Sequence, residues 1–413
     1  MTKRVAILAT LDTKGAETEL LRNEILRLGG ETLVIDIGLM GEPTIVPDID
    51  ADAVARAGGR PLAELRVNAN RSSTSEVMIR GVTKLLLEML GRNEVHSLIS
   101  MGGTQGTNNA AAVMRELPYG LPKIIVSTLA SGNVASYVGI KDIVMMPSVG
   151  DILGLNPLLR RILANAAGAA YGMALAYGGS DAARRSDKPM IAITNLGVLT
   201  QGTMRAIKEF EARGFETIVF PAVGSGGRAM EQMIREGLVA GVFDYGLGDI
   251  CDAVLGGMRA ADGDRLSVAH AYGVPQVVVP GGIDHVGVTL ETPNEVPEKY
   301  RNHLYSYHNP MILVPRPKRD EMRAVVSEIA GRLAGAGEET QFLLPLRGVS
   351  SYSAPGGALF DTAADEDLRQ AVHELLPKTV EIVEVDASAE DPAFVIEAVN
   401  RLTAMVAARS SAK

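Results

Sequence analysis

The pattern that most constrains this chain is a strand-like run leading into an amphipathic helix, met at the start and again near residue 189. Val5-Ala6-Ile7-Leu8-Ala9-Thr10 is echoed by Ile191-Ala192-Ile193-Thr194-Asn195. Each run passes through a short polar loop into a helix, at 17–28 and 202–213, closed by Gly29 or Gly214 as a cap. Glu31-Thr32-Leu33-Val34-Ile35 then matches Glu216-Thr217-Ile218-Val219-Phe220, and residues 122–128 match 275–281. Three ordered matches point to an internal duplication, with two independently similar βαβ units as the alternative. Short β-branched apolar runs alternating with amphipathic helices predict parallel strands covered on both faces. The expected fold class is α/β: two Rossmann-like doubly wound domains with mainly parallel sheets. The Gly/Ser/Asp/Arg stretch 178–188 sets the boundary, giving domains 1–184 and 185–413. The first half carries extra sequence, 38–74, expected as a loop with a short helix at 50–57. The tail predicts strands at 342–344 and 380–385 and helices at 365–376 and 392–408.

A length of 413 residues suits two to three domains, and 46% hydrophobic with 22% charged residues is an ordinary globular mix. A net charge of −9 argues against phosphate-backbone binding. Aromatics at 4% with no Trp give no stacking platform for single strands, so nucleic acid is not an expected partner. The basic cluster Arg316-Pro317-Lys318-Arg319 reads as a solvated helix entry. One cysteine, Cys251, rules out an intrachain disulfide framework and fits a reducing cytoplasm. The opening residues lack the apolar segment and cleavage site of a signal peptide. The apolar, alanine-rich run 162–176 is interrupted by Asn165 and too short to span a bilayer comfortably, so it is expected as a buried or interface helix. Cytoplasmic location without membrane association follows as the expectation.

In open α/β sheets, ligands bind beyond the carboxyl ends of the strands. Three first-half loops sit at such ends. Met101-Gly102-Gly103-Thr104-Gln105-Gly106-Thr107 joins a strand to a helix, where free amides and the helix dipole favour an anion. A tight glycine turn is the alternative, because neither the Walker pattern nor G-x-G-x-x-G is present. Thr10-Leu11-Asp12-Thr13-Lys14-Gly15 offers hydroxyls, an ammonium that pairs with phosphate and, in Asp12, a carboxylate for Mg²⁺. A simple helix N-cap is the competing reading there. Ser127-Thr128-Leu129-Ala130-Ser131-Gly132-Asn133 repeats the same chemistry, adding Ser131 and Gly132 to the cofactor-binding candidates.

The second-half loops carry different chemistry. Gly226, Gly227 and Arg228 open a helix and are candidates for a substrate phosphate or carboxylate, with Ser350. Asp249, Asp284 with His285, His308 and Arg347 are the residue types of an acid/base or metal site. No zinc-ligand spacing and no Gly-x-Ser-x-Gly elbow is present. Structural hydrogen bonding is the plain alternative for each histidine, and packing for Cys251.

The motifs at 9–15, 101–107, 226–232, 307–310 and 345–350 occur in that order. Together they resemble a widespread, largely uncharacterised bacterial and fungal family, related to the N-terminal domain of a plant tobamovirus resistance protein that inhibits viral RNA replication. The resemblance spans nearly the whole chain. It implies an ATP-binding module of two α/β subdomains, usually a homodimer. Carried over, it implies ATP on Thr10, Asp12, Thr13, Lys14, Gly102, Gly103, Thr104 and Thr107. The chain departs from the family pattern at Gly246-Leu247-Gly248-Asp249 and at His285. A second-half activity therefore transfers with less force, and the antiviral role does not transfer.

The resulting expectation is an ATP- and Mg²⁺-binding protein. It would act as a kinase or ligase on an unidentified small-molecule substrate in an interdomain cleft, with His308 or His285 as base and Arg347 orienting an anionic substrate. The alternatives are a nucleotide-binding regulatory module without turnover, and an ATP-independent, metal-assisted isomerase or lyase built on Asp249, Asp284 and His285.

Overall fold

The structure is a computed structural model that describes residues 2–67, 71–177 and 188–411, without the side chains of 71 and 72. The boundary stretch 178–187 lies outside the described residues. The chain divides into two compact units, 1–184 and 185–413.

The first unit runs β1 (Arg4–Ala9), α1 (Leu11–Arg27), β2 (Glu31–Asp36), α2 (Ala51–Ala57), α3 (Leu62–Val67), α4 (Arg71–Gly91), β3 (Ser97–Gly102), α5 (Thr104–Glu116), β4 (Lys123–Ser127), α6 (Ala135–Val138), β5 (Ile143–Pro147) and α7 (Pro157–Ala176). Its five strands are parallel, in the order β2-β1-β3-β4-β5. Successive side chains of a strand face opposite sides, and both sides here are buried. Val5, Ile7 and Ala9 meet Leu21 and Ile25 of α1 and the alanine face of α7. Ala6 and Leu8 pack on the other side, in one cluster with residues of α2, α4 and α5. The alanine-rich helix thus buries its small face against its own sheet.

The second unit runs β6 (Met190–Asn195), α8 (Thr200–Ala212), β7 (Glu216–Pro221), α9 (Gly224–Arg235), β8 (Gly241–Gly246), α10 (Gly248–Leu255), α11 (Ser267–Ala271), β9 (Gln276–Gly281), β10 (Val288–Thr289), β11 (Tyr305–Asn309), β12 (Ile312–Pro315), α12 (Arg319–Arg332), β13 (Thr340–Pro345), α13 (Thr362–Leu375), β14 (Glu381–Val385) and α14 (Pro392–Ser411). Its six-stranded parallel sheet has the order β14-β13-β9-β8-β6-β7. Read from β7, the strands follow the same second-first-third-fourth-fifth order as in the first unit. Ile191 and Ile193 face one core and Ala192 the other, repeating the alternation of β1. A small antiparallel sheet, β10-β12-β11, follows β9.

Several elements differ from the sequence pattern. Helices begin sooner: α1 at Leu11, α5 at Thr104 and α9 at Gly224, so the polar strand-end loops are largely first helical turns. In α1 the backbone leaves helical geometry at Lys14 (φ −126°, ψ 23°). The inserted stretch holds α3 as well as α2. Arg316 is a correction to the solvated cluster: it is buried, and its guanidinium donates to the Leu359 carbonyl and the Asp365 carboxylate. Among the described residues, no helix is long and apolar enough to cross a membrane.

The α2 boundary gives a direct test. The Asp50 carboxylate accepts from the Ala53 amide at 2.7 Å, an N-cap bond. Asp50→Ala is expected to cost about 1 kcal/mol in chemical denaturation of the full chain. The exposed Glu64→Ala should change little.

Candidate functional site

Strands β1 and β3 are neighbours, yet the helices that leave them, α1 and α5, pack on opposite faces of the sheet. This divergence opens a crevice at the carboxyl edge, the place where doubly wound sheets bind ligands. A cavity of about 450 Å³ occupies it. Thr10, Asp12, Thr13 and Lys14 line one side and residues 102–106 another. Ile37, Leu39, Met40 and Met101 add an apolar wall, and Ser75, Gln105 and Asn109 a polar one.

The glycine loop is shaped by contact. A Cβ on Gly102 would lie 2.9 Å from Gly106 Cα, so strand end and helix start approach more closely than a side chain allows. Gly103 is the N-cap of α5 and supplies no side chain to its first turn. The amides of Thr104, Gln105 and Gly106 precede the first intrahelical bond, from Thr107 N to Gly103 O, and are left for a ligand or water. Gln105 donates to Ser75 Oγ at 3.2 Å and Asn109 Oδ1 at 3.0 Å, which sets the polar wall.

The charged groups of the cavity are already tied to neighbouring loops. Asp12 Oδ2 accepts from Met40 N at 3.3 Å and Gly41 N at 3.1 Å. Its Oδ1 is buried with no hydrogen-bond partner among the described residues. Asp36 lies beside it and accepts from Leu11 N and Gly38 N. Burial pushes the Asp36 carboxyl above its ordinary range, and Asp12 adds to that push. Lys14 Nζ donates to the Ile152 carbonyl. Thr10 and Thr13 share a hydroxyl hydrogen bond of 3.0 Å.

Three expected cofactor residues lie elsewhere. Thr107 is fully buried, bonded to Ser127 Oγ at 2.7 Å and to the Gly102 carbonyl at 3.3 Å, so it joins the ends of β3 and β4 and does not line the cavity. Ser131 and Gly132 are exposed in the turn after β4 and are outside the lining. Ile37, Leu39, Met40 and Ser75 lie outside the motifs that the sequence singles out. Leu39 and Met40 lie in the inserted stretch, whose unusual length was the available signal.

At the equivalent position of the second unit the described residues pack closely around Gly248. A Cβ on Gly248 would meet Leu196 at 2.5 Å, the Gly282 carbonyl oxygen at 2.9 Å and Arg259 at 3.3 Å. Asp249 is completely buried and accepts from Arg265 Nε at 3.0 Å. The Arg265 guanidinium, itself buried, also clamps both oxygens of Asp244 and the Gly246 carbonyl, and Glu231 lies 3.8 Å away. This corrects Asp249 from an acid/base group to one arm of a buried ion cluster.

His285 is held in the same manner. Arg259 grips Asp252 with two nitrogens, at 2.8 and 2.9 Å, and directs Nη1 to His285 Nε2 at 3.0 Å. A guanidinium only donates, so Nε2 accepts and Nδ1 carries the proton that bonds Asp284 at 2.8 Å. Burial alone would raise the Asp284 carboxyl, but hydrogen bonds from His285, Ser350 and Ser353 prevail and hold it at about 2. Ser350 is therefore a buried donor to Asp284. The base function expected of His285 and the ligand contact expected of Ser350 have no free atom to act through. His308 is exposed, its Nδ1 3.3 Å from the Tyr352 hydroxyl, and Tyr352 sets its ring edge-on to His285.

The remaining candidates disperse. Arg347 is exposed and doubly bonded to Asp386 at 2.7 and 2.8 Å. A Cβ on Gly226 would fall 2.0 Å from the Pro221 carbonyl oxygen, and one on Gly227 2.8 Å from Arg265 Cδ. These glycines serve close packing. Arg228 is exposed and faces Asp262 at 3.4 Å. Cys251 is buried. Among the described residues, no three His, Cys, Asp or Glu side chains converge as a metal site.

The fold and its strand-end cavity thus define a two-unit α/β protein whose first unit has a cavity at the switch point and whose second packs closely around Gly248 there. The N-terminal domain of Uncharacterised protein family UPF0261 matches residues 3–179, and its C-terminal domain matches residues 188–406. The chain belongs to that family. A UPF0261 protein of Clostridium tetani is 38% identical, covering 98% of this chain and all of its own length. The tomato protein called ToMV susceptible protein tm-1(GCR26) is 32% identical over 74% of this chain and 41% of its own. Among solved structures, the UDP-GlcNAc 2-epimerase of Methanocaldococcus jannaschii aligns over 97% of this chain and 92% of its own, with 9% identity and a TM-score of 0.25.

The buried ion cluster predicts a pH signature. Burial raises the Glu231 carboxyl to about 8 even with Arg265 nearby, and its Oε2 has no partner among the described residues. Folding therefore favours the protonated acid. Its contribution is whole below the ordinary carboxylate range and is lost as pH rises through about 8. Glu231→Gln keeps the acceptor for Leu266 N and removes the titration. Its stability advantage over the parent should widen from about pH 5 to pH 8 in denaturant melts and then level off.

Proposed function

We propose that the first unit binds a nucleoside triphosphate, ATP, together with Mg²⁺. The observation that carries this reading is the open switch-point cavity, which sets the free first-turn amides of α5 opposite Lys14 and beside an apolar wall. Amides at a helix start suit phosphate oxygens, and the ammonium offsets their charge. Ile37, Leu39, Met40 and Met101 suit the face of a base. Asp12 fits the cation: its buried Oδ1 is an anionic acceptor without a donor, and Mg²⁺ commonly takes one or two carboxylates, the rest of its shell being phosphate and water. Bound there, Mg²⁺ would screen phosphate charge. The homodimer that the resemblance implies, and the cytoplasmic location expected from the single cysteine, belong to the same proposal.

Binding without assigned turnover is the reading the geometry favours. Kinase or ligase chemistry on a small-molecule substrate would also need a base, and His308 is the exposed imidazole among the candidates. The isomerase or lyase reading loses its groups, because Asp249, Asp284 and His285 are all held by buried partners.

Thermal melts with ATP, ADP, AMP, GTP and phosphate, each with and without Mg²⁺, test the proposal. Ligand at about 100 times its Kd should add roughly 2.7 kcal/mol. The expected result is a selective Mg-ATP shift, lost in Asp12→Ala and Lys14→Ala with both variants folded. An equal shift in both variants would remove these residues from the site.

A further inference from the structure

We propose that Lys14 couples occupancy of this cavity to the order of the loop that follows β5. The inference rests on the nucleotide reading above. It starts from the two faces of Lys14, which lines the cavity while its Nζ donates to the backbone carbonyl of Ile152. Ile152 belongs to a loop 138 residues further along the chain. Three residues after Lys14, the buried Glu17 accepts from Gly154 N at 2.9 Å in that loop. One helix therefore holds the loop at two nearby backbone points, one by a cation and one by an anion.

The loop itself is under tension. Val149 has φ +65°, a conformation that a β-branched side chain rarely adopts. Its side chain and that of Leu153 are 77% and 78% exposed. Ser148 fastens the near end, its amide donating to Ser127 O at 3.1 Å and its hydroxyl to Gly150 O at 2.6 Å. The Ile152 side chain is buried in the core of the first unit, so the stretch between Ser148 and Gly154 rests on that anchor and a few polar ties, of which Lys14 supplies one.

The direction of the coupling follows from valence. An ammonium has three donors, and the Ile152 carbonyl takes one. A phosphate in the cavity adds to that bond without displacing it. Without ligand, a long flexible side chain must be immobilised for a single carbonyl, at the expense of rotamer entropy. With phosphate bound, the ligand already holds the ammonium, and the bond to Ile152 forms with less further loss. Occupancy is therefore read out as a tighter loop, in the manner of coupling through shared ordering. The kink of α1 at Lys14 places this residue at the one irregular step of the helix, between the turn that faces the cavity and the turn that holds Gly154.

The chain has no tryptophan, so a single substitution makes a clean reporter. In full-length Leu153→Trp, acrylamide quenching reports the loop and thermal melting reports occupancy by Mg-ATP. The expected result is a melting shift accompanied by quenching reduced about two-fold. Lys14→Met in that background should raise quenching without nucleotide and abolish the response, and Lys14→Arg should restore the lower quenching. A melting shift with unchanged or increased quenching would overturn the coupling and leave nucleotide binding standing. No melting shift would overturn the nucleotide reading and this coupling with it. Unaltered quenching in Lys14→Met would sink the latch whatever the nucleotide does.

Discussion

A parallel sheet covered on both faces must bring the carboxyl ends of its strands to one edge, and where neighbouring strands send their helices to opposite faces that edge splits. Everything proposed for this protein depends on what occupies the split. Both units have the same inner strand order, so both have such a position. In the first, β1 and β3 lead into the helix caps Thr10 and Gly103, and a cavity remains. In the second, Leu196 and Arg259 crowd against Gly248 and the space is spent on packing. One topology thus gives a cavity in one unit and close packing around Gly248 in the other, distinguished by a few side chains.

That close packing explains why the second unit looks like an active site in sequence. Buried carboxylates are tolerated only when paired and hydrogen-bonded, so a packed strand edge that retains Asp244, Asp249, Asp252 and Asp284 must also recruit Arg259, Arg265, His285 and Ser350. Those are also the residue types of catalytic sites. Composition cannot separate the two cases, because the difference is whether a lone pair or proton remains free. At His285 both ring nitrogens are engaged. At Asp249 burial and Arg265 account for the carboxylate.

The layout was legible where hydrophobic period and capping residues agree. The β1, β2, β6 and β7 runs lie within a residue or two of their observed strands, and the Asp50 cap marks the start of α2. Polar residues beyond a strand are poor witnesses to helix starts, since Thr, Gly and Asp suit both a loop and a first turn, which is why α1, α5 and α9 begin sooner than their polarity suggests. The polar side of the cavity was visible as a motif because its residues are consecutive. Its apolar wall was not, because Ile37, Leu39, Met40 and Met101 come together only when β2 and β3 flank β1. Thr107 belongs to the same motif but points to Ser127, a distinction that one turn of helix decides.

The claim that the first-unit cavity, and not the closely packed second-unit edge, takes the nucleotide can be read most directly by photolabelling. The full chain would be irradiated with an azido-ATP and Mg²⁺, digested, and the modified peptides identified, with excess ATP as competitor. The account predicts ATP-protected label in the peptides that contain residues 37–40 or 101–109. Protected label confined to the peptides around 281–287 or 346–352 would contradict it.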